Sequence, residues 1–249
     1  EFQINQTQKY HTYEENGAEY IQQRDANRRS GFFLQDEISL RPNLFFIAGL
    51  RMDLVNGAKK FNPRTALIWQ AQAGSTVKLL YGSAFRVANF FELSENRTQN
   101  LALPKDEKIQ TLELALEHFL TPSTRLAASL YHYRIQGLIA RNQTSLFVNQ
   151  GDIRSKGIEL ELEQRFAQGV RADFSYTGQR TEDDSGTRLS NSPAHMLKFK
   201  LSATLFDPRL SAASEWRYMS SRLIPQGKLA GNFSADLVLR AKIQRRLML

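Results

Sequence analysis

Residues Gly157 to Arg165 read Gly-Ile-Glu-Leu-Glu-Leu-Glu-Gln-Arg. In an extended strand, side chains alternate between two faces with period two. Ile158, Leu160 and Leu162 therefore share one face, and Glu159, Glu161, Glu163 and Arg165 the other. One such strand could edge any sandwich. The same pattern returns along nearly the whole chain, with turn signals between the runs. Strand-like runs are predicted at 28–40, 44–54, 62–71, 75–87, 107–120, 124–139, 145–166, 170–181, 194–206, 209–221 and 231–242, with a weaker one at 2–10. Helical periodicity is sustained nowhere.

The connections fall into two kinds that alternate. Arg41-Pro42-Asn43, Ala71 to Ser75, Thr121-Pro122-Ser123, Ala167-Gln168-Gly169 and Asp207-Pro208 are short. The stretches 11–27, 55–61, 88–106, 140–144, 182–193 and 222–230 are long or polar. Short turns on one rim and long loops on the other characterise outer-membrane barrels.

Turn parity supports this. Hairpin partners face the same side, so each turn must keep the apolar faces aligned. Leu40 with Leu44 aligns Leu34 and Leu50; Trp69 with Val77 aligns Leu67 and Leu79. Leu120 with Thr124 aligns Leu114 and Leu130; Phe166 with Val170 aligns Leu162 and Phe174. Leu205 with Leu210 aligns Phe199 with Trp216 and Lys200 with Glu215, and sets Lys198 against Arg217. That last pair repels unless Glu215 or Asp236 sits between. The strand 124–139 fits less simply, because Leu126, Ala128 and Leu130 face one way and Tyr131, Tyr133 and Ile135 the other. A bulge near Tyr131 is the expectation there.

The polar face carries Arg64, Lys78, Arg86, Glu113, Glu117, Arg171, Asp173, Lys200, Glu215, Asp236 and Arg240 among others. The apolar face carries Trp69, Tyr81, Phe85, Phe174, Tyr176, Trp216 and Tyr218. A charged interior with an apolar, aromatic-rimmed exterior marks a membrane barrel, whereas a soluble barrel is the reverse. The negative mean hydropathy is compatible with this, since only alternate residues would meet lipid.

Composition narrows the function. The 249 residues contain no cysteine, which excludes a disulfide framework and a Cys-ligated metal site. No apolar run is long enough for a transmembrane helix. The net charge of +8 is scattered and interleaved with acids, unlike the clustered footprint of a nucleic-acid binder. His11, His118, His132 and His195 have no metal-ligand spacing. No phosphate loop, nucleophile elbow or triad context is present, so neither an enzyme nor a cofactor is expected.

Several segments resemble the barrel of TonB-dependent outer-membrane receptors. GFFLQDEISL (Gly31 to Leu40) followed by Ala48-Gly-Leu-Arg-Met-Asp53 is similar to the family's "QDE … GLR-D" hairpin. Asn62-Pro-Arg-Thr-Ala-Leu67 is similar to its "P-R-x-A" strand start, and LLYGSAFRVANFFEL (Leu79 to Leu93) to its "YG-x-A-F-R … E-L" segment. Ile109 to Glu117, Leu130 to Ile139, Phe147 to Gly151 and Gly157 to Glu161 follow the family's strand order. Asn191-Ser-Pro-Ala-His195 resembles its "S-P-x-H" approach to a late strand.

The resemblance implies an all-β, antiparallel up-and-down meander, a part of about 11–12 strands of a barrel of about 22. Residues 1–249 would form part of one transmembrane β-barrel domain, truncated at both ends and lacking its plug domain. The implied function is TonB-dependent active uptake across the bacterial outer membrane of a scarce ligand, such as a ferric siderophore or a cobalamin-like molecule. The implied partners are that ligand, the TonB energy-coupling system acting through the plug, and outer-membrane lipid, with the receptor a monomer. The alternative is a porin-like or adhesin-like barrel without energy coupling. Haem receptors of the family carry a histidine in the loop corresponding to 88–106, and this loop has none. Ligand capture would fall to the long loops and upper lumen, with Arg86, Asn89, Phe90, Phe91 and Arg97 as candidates beside Tyr13, Tyr20 and Arg24. Arginine suits anionic chelates and aromatics suit flat ligands. The stronger expectation for Arg86 is an ion pair with a neighbouring lumen acid or with the plug, and for Phe90 and Phe91 it is packing that holds the loop down.

Overall fold

The computed structural model of the protein describes residues 6–13, 19–27, 29–142, 146–205, 209–244 and 247–248. It opens with β1 (Gln6–Tyr13), β2 (Glu19–Asn27), β3 (Arg29–Arg41), β4 (Leu44–Val55), β5 (Ala58–Gln72) and β6 (Ser75–Arg86). The helix α1 (Phe90–Thr98) follows. Then come β7 (Glu107–Thr121), β8 (Thr124–Gln136), β9 (Leu138–Arg141), β10 (Phe147–Gln150), β11 (Ile153–Arg165) and β12 (Arg171–Asp183). The remainder is β13 (His195–Thr204), β14 (Leu210–Met219), β15 (Arg222–Ile224), β16 (Gly227–Leu229), β17 (Asn232–Gln244) and β18 (Leu247–Met248).

Among these strands, hydrogen-bonded neighbours form a 12-stranded sheet in the order β18-β17-β14-β13-β12-β11-β8-β7-β6-β5-β4-β3. The chain thus runs as an antiparallel meander, part of a β-barrel. The skipped strands form three small hairpin sheets, β1–β2, β9–β10 and β15–β16.

The turns explain the register. In β3–β4, Ile38 pairs with Phe46 and Leu34 with Leu50, as parity requires. The last pair is Arg41–Leu44, not Leu40–Leu44, because a bulge between Ser39 and Arg41 takes up one residue and leaves Pro42-Asn43 as the turn. In β13–β14 the pairs are Phe199–Trp216, Lys200–Glu215 and Lys198–Arg217, as expected. Asp207-Pro208 lies outside the described residues.

The long connections differ more. Stretch 55–61 is no loop: β4 turns into β5 through Asn56 (φ 49) and Gly57 (φ 84). Asn-Gly suits the left-handed angles of a two-residue hairpin turn. Stretch 11–27 continues into the β1–β2 hairpin, and 222–230 holds β15–β16. The run 145–166 divides into β10 and β11, while 138–141 becomes β9. Loop 88–106 contains α1.

The bulge expected near Tyr131 falls within one continuous strand, β8. Arg125 there reaches Glu117 and Glu161, and Tyr131 donates to Gln179 at 3.2 Å. Tyr131 fits because Gly157 leaves space for its ring. A Cβ at Gly157 would stand 2.6 Å from both the Tyr131 hydroxyl and the Gly178 carbonyl oxygen.

The chain divides into two compact units. The first comprises Glu1–Leu67, Leu80–Leu112 and Tyr133–Ile153. Among its buried side chains are Val55, Ala88, Phe90, Ile139 and Ile153. The second comprises Ile68–Leu79, Glu113–His132 and Arg154–Leu249. Among its described residues Ser75, Ser155, Thr181 and Pro193 are buried, with Ser155 and Thr181 hydrogen-bonded at 2.8 Å. Its large apolar side chains lie open instead, including Trp69, Leu79, Leu114, Leu116, Leu120, Leu130, Leu162, Leu237 and Leu239. On β7 the leucines 114, 116 and 120 form one stripe while Glu113 and Glu117 occupy the other face. An apolar surface this extensive does not remain in contact with water; it marks a contact surface. A lipid bilayer is the solvent that fits it.

Candidate functional site

The sequence Asn89-Phe-Phe-Glu92 starts α1 with a capping box. The Asn89 side chain accepts from the Glu92 N–H at 2.9 Å, and the Glu92 carboxylate accepts from the Asn89 N–H at 2.7 Å. Each end group thereby satisfies a backbone donor that the first helical turn leaves unpaired. Glu92 at the start and Arg97 in the last turn also complement the helix dipole.

Arg86, at the end of β6, ties this helix to the strands. Its Nε and Nη2 donate to Glu107 at 2.7 and 2.6 Å. Its Nη1 donates to both Glu92 oxygens at 3.0 and 2.9 Å. Glu107 also accepts from the Ile139 N–H at 2.7 Å. One guanidinium thus joins β6, β7 and α1, and Glu107 extends the chain to β9. Such charge-assisted forks are rigid.

Asn96 holds the other end of α1. It is 1% exposed. Its Nδ2 donates to the carbonyls of Ala102 and Phe147 at 2.8 and 2.7 Å, and its Oδ1 accepts from the Phe147 N–H at 3.1 Å. The amide behaves as a strand neighbour for Phe147, on β10. Asn149 does the same nearby, bonding both backbone groups of Lys105 and the Gly137 carbonyl.

Packing completes the cluster. Phe90 is buried, and Phe91 meets Phe147 edge to face with centroids 5.7 Å apart. The Arg141 guanidinium lies 5.6 Å from the Phe91 ring centre and 5.0 Å from that of Phe147. α1 adjoins β10 and β2.

The structure therefore gathers Arg86, Asn89, Phe90, Phe91 and Arg97 around one helix. Asn89 caps it, Phe90 anchors it, Arg86 fastens it, and Phe91 and the exposed Arg97 lie toward its surface. Tyr13, Tyr20 and Arg24 belong to the β1–β2 hairpin, where Arg24 pairs with Lys9 and Tyr13 with Glu19. Their side chains lie outside the described residues. Glu92, Asn96, Glu107 and Arg141 join these candidates as residues that build the cluster. The Asn-x-x-Glu spacing at 89–92 was the available signal for the helix; the partners of the others depend on the fold.

The second unit holds a hollow of about 210 Å³ on the polar face. Lys78 and Arg125 line it with four carboxylates, Glu113, Glu117, Glu159 and Glu161. Arg125 pairs with Glu117 at 2.6 Å and with Glu161 at 3.4 Å. Glu113 and Glu159 form no ion pair among the described residues, so the hollow has negative charge in excess. Among the described residues no group of acids and histidines could hold a metal ion.

No curated protein matches the sequence. Solved structures share the fold at low identity. The ferripyoverdine receptor of the outer membrane of Pseudomonas aeruginosa is 17% identical with a TM-score of 0.75, over 93% of this chain and 35% of that one. The copper transporter OprC is 18% identical with a TM-score of 0.76, over 96% of this chain and 44% of that one. The siderophore receptor PirA from Acinetobacter baumannii is 12% identical with a TM-score of 0.74, over 89% and 40%. The chain thus spans well under half the length of the structures it matches. The sequence matches the family described as TonB dependent receptor-like, beta-barrel over residues 1–246. The chain belongs to that family of outer-membrane receptors.

Proposed function

We propose that this chain is the barrel wall and part of the ligand-capturing loops of an outer-membrane receptor for active uptake of a scarce chelate, a ferric siderophore or a cobalamin-like molecule. Energy reaches it from the TonB system through a plug domain. The observations that support it are the many exposed large apolar side chains, the charged residues on the opposite strand faces, and the ion pairs that brace the loop cluster. The excess carboxylates of the hollow suit a seat for a cationic side chain of the plug. The neighbours named above are transport receptors, which supports uptake over catalysis.

The test is uptake by cells expressing the full-length protein that carries this segment. A panel of radiolabelled ferric siderophores and cobalamin is supplied with and without collapse of the proton-motive force. Accumulation of one ligand that stops on collapse supports the reading. Passage that is indifferent to collapse, or uptake of none of the panel, contradicts it.

A further inference from the structure

Two arginines of the loop cluster differ in what their N–H groups do. Arg86 directs Nε, Nη1 and Nη2 at two carboxylates, all within 3.0 Å. Its fork is committed to structure. Among the described residues Arg141 has one carboxylate nearby, Glu95, and that contact is 3.9 Å, beyond hydrogen-bond length.

The position of Arg141 is nevertheless fixed. Its distances to the two ring centres, 5.0 and 5.6 Å, and the 5.7 Å between the rings form a nearly equilateral triangle. The guanidinium therefore rests in the corner of an edge-to-face aromatic pair, not between two parallel rings. One side is covered, and its side chain remains 48% exposed. Phe91 is held by α1 and Phe147 by the Asn96 amide, so the corner itself is braced. A guanidinium preorganised on aromatic faces, with donors unspent, is built to take a planar anionic group in bidentate fashion.

Resting on the uptake reading above, we infer that Arg141, seated on Phe91 and Phe147, is the residue that reads anionic oxygens of the chelate, and that the ligand class is negatively charged. Ligand oxygens would take the N–H groups that Glu95 approaches only at a distance. Phe91, among the residues singled out from sequence, serves as the platform.

The experiment uses the full-length protein in detergent and measures affinity by titration. The probes are a triply anionic ferric tris-catecholate, an anionic ferric citrate-type carboxylate chelate and a neutral ferric tris-hydroxamate. Arg141→Gln is expected to weaken the anionic chelate that the wild type binds by about tenfold or more, and to flatten its salt dependence. Arg141→Lys keeps the charge but loses the fork, and should fall between the two. Glu95→Gln, which removes the competing carboxylate, should tighten the same chelate. Any binding of the neutral probe should be unchanged throughout, which also shows that the variants are folded. Arg141→Gln within twofold of wild type overturns the proposal, as does preference of the wild type for the neutral probe or failure to bind either anionic one. Energised uptake of a neutral or cationic ligand would then leave the transport reading standing while this one falls.

Discussion

Lys198 places its Nζ 3.2 Å from Glu215, although the residue directly across from Lys198 is Arg217. Arg217 in turn approaches Glu215 at 3.5 Å and reaches Asp236 on the next strand. The diagonal acids neutralise a like-charge pair that the register makes unavoidable. Glu215→Gln should therefore destabilise only slightly, since the cations are half exposed. Adding Lys198→Gln should restore part of that loss. Urea unfolding of the detergent-solubilised full-length protein measures both; a large loss would show the ladder to be dry and buried.

Gly157→Ala should cost about 1–3 kcal/mol. Its Cβ would meet the Gly178 carbonyl oxygen at 2.6 Å as well as the Tyr131 hydroxyl. Tyr131→Phe on the same background should rescue it only in part, because the backbone contact remains. Unfolding in denaturant checks this, and a neutral Gly157→Ala would mean the strands separate readily.

Asn96→Ala should loosen the α1 region and leave the sheet intact. It strands the Phe147 N–H and two carbonyls, each an interaction worth about 1–3 kcal/mol when left unmet. Limited proteolysis should cut between 88 and 106 in the variant and not in the wild type. Cleavage equal in both would show the Asn96 bonds to be dispensable.

Much of this fold was legible because alternation and turn chemistry are local. The β13–β14 register followed from parity alone, down to Lys200 opposite Glu215. The bulge after Ser39 was not, since an apolar pair at Leu40 and Leu44 suits either count. The Asn56-Gly57 turn was legible and passed over; polar residues around it resemble a loop until the left-handed requirement of the turn is considered. At the candidate site, residue types pointed to the right segment. What each residue does there depends on partners far along the chain. Asn96 and Phe147 are 51 residues apart, and no local pattern joins them.

Asp183, the last residue of β12, supplies a pH-dependent reporter where the strand passes into its polar loop. Its carboxylate accepts from the Ser185 hydroxyl and from the Ser185 and Thr187 N–H groups at 2.6, 2.9 and 2.9 Å. The Ser185 bond foremost, then the backbone donors, hold its pKa below the ordinary aspartate value of 3.8. A depressed folded value means that the turn gains stability above the unfolded pKa and loses it as pH falls through the folded one. The Ser185 and Thr187 amide shifts, followed by NMR, should stay constant down to pH 4 and titrate below the ordinary aspartate value. A midpoint at or above that value would remove the role of these bonds.

The most direct test of the account concerns which face meets lipid. The chain has no cysteine, so single cysteines can be placed without background. Fluorescent labels would go at Leu114, Leu116 and Leu237 on one face and at Glu113, Glu117 and Lys200 on the other, in the full-length protein reconstituted in vesicles. Labels on the leucine face should be quenched by brominated acyl chains and shielded from aqueous iodide. Labels on the charged face should be insensitive to brominated lipid. The reverse pattern, or equal iodide quenching of both faces, would contradict it.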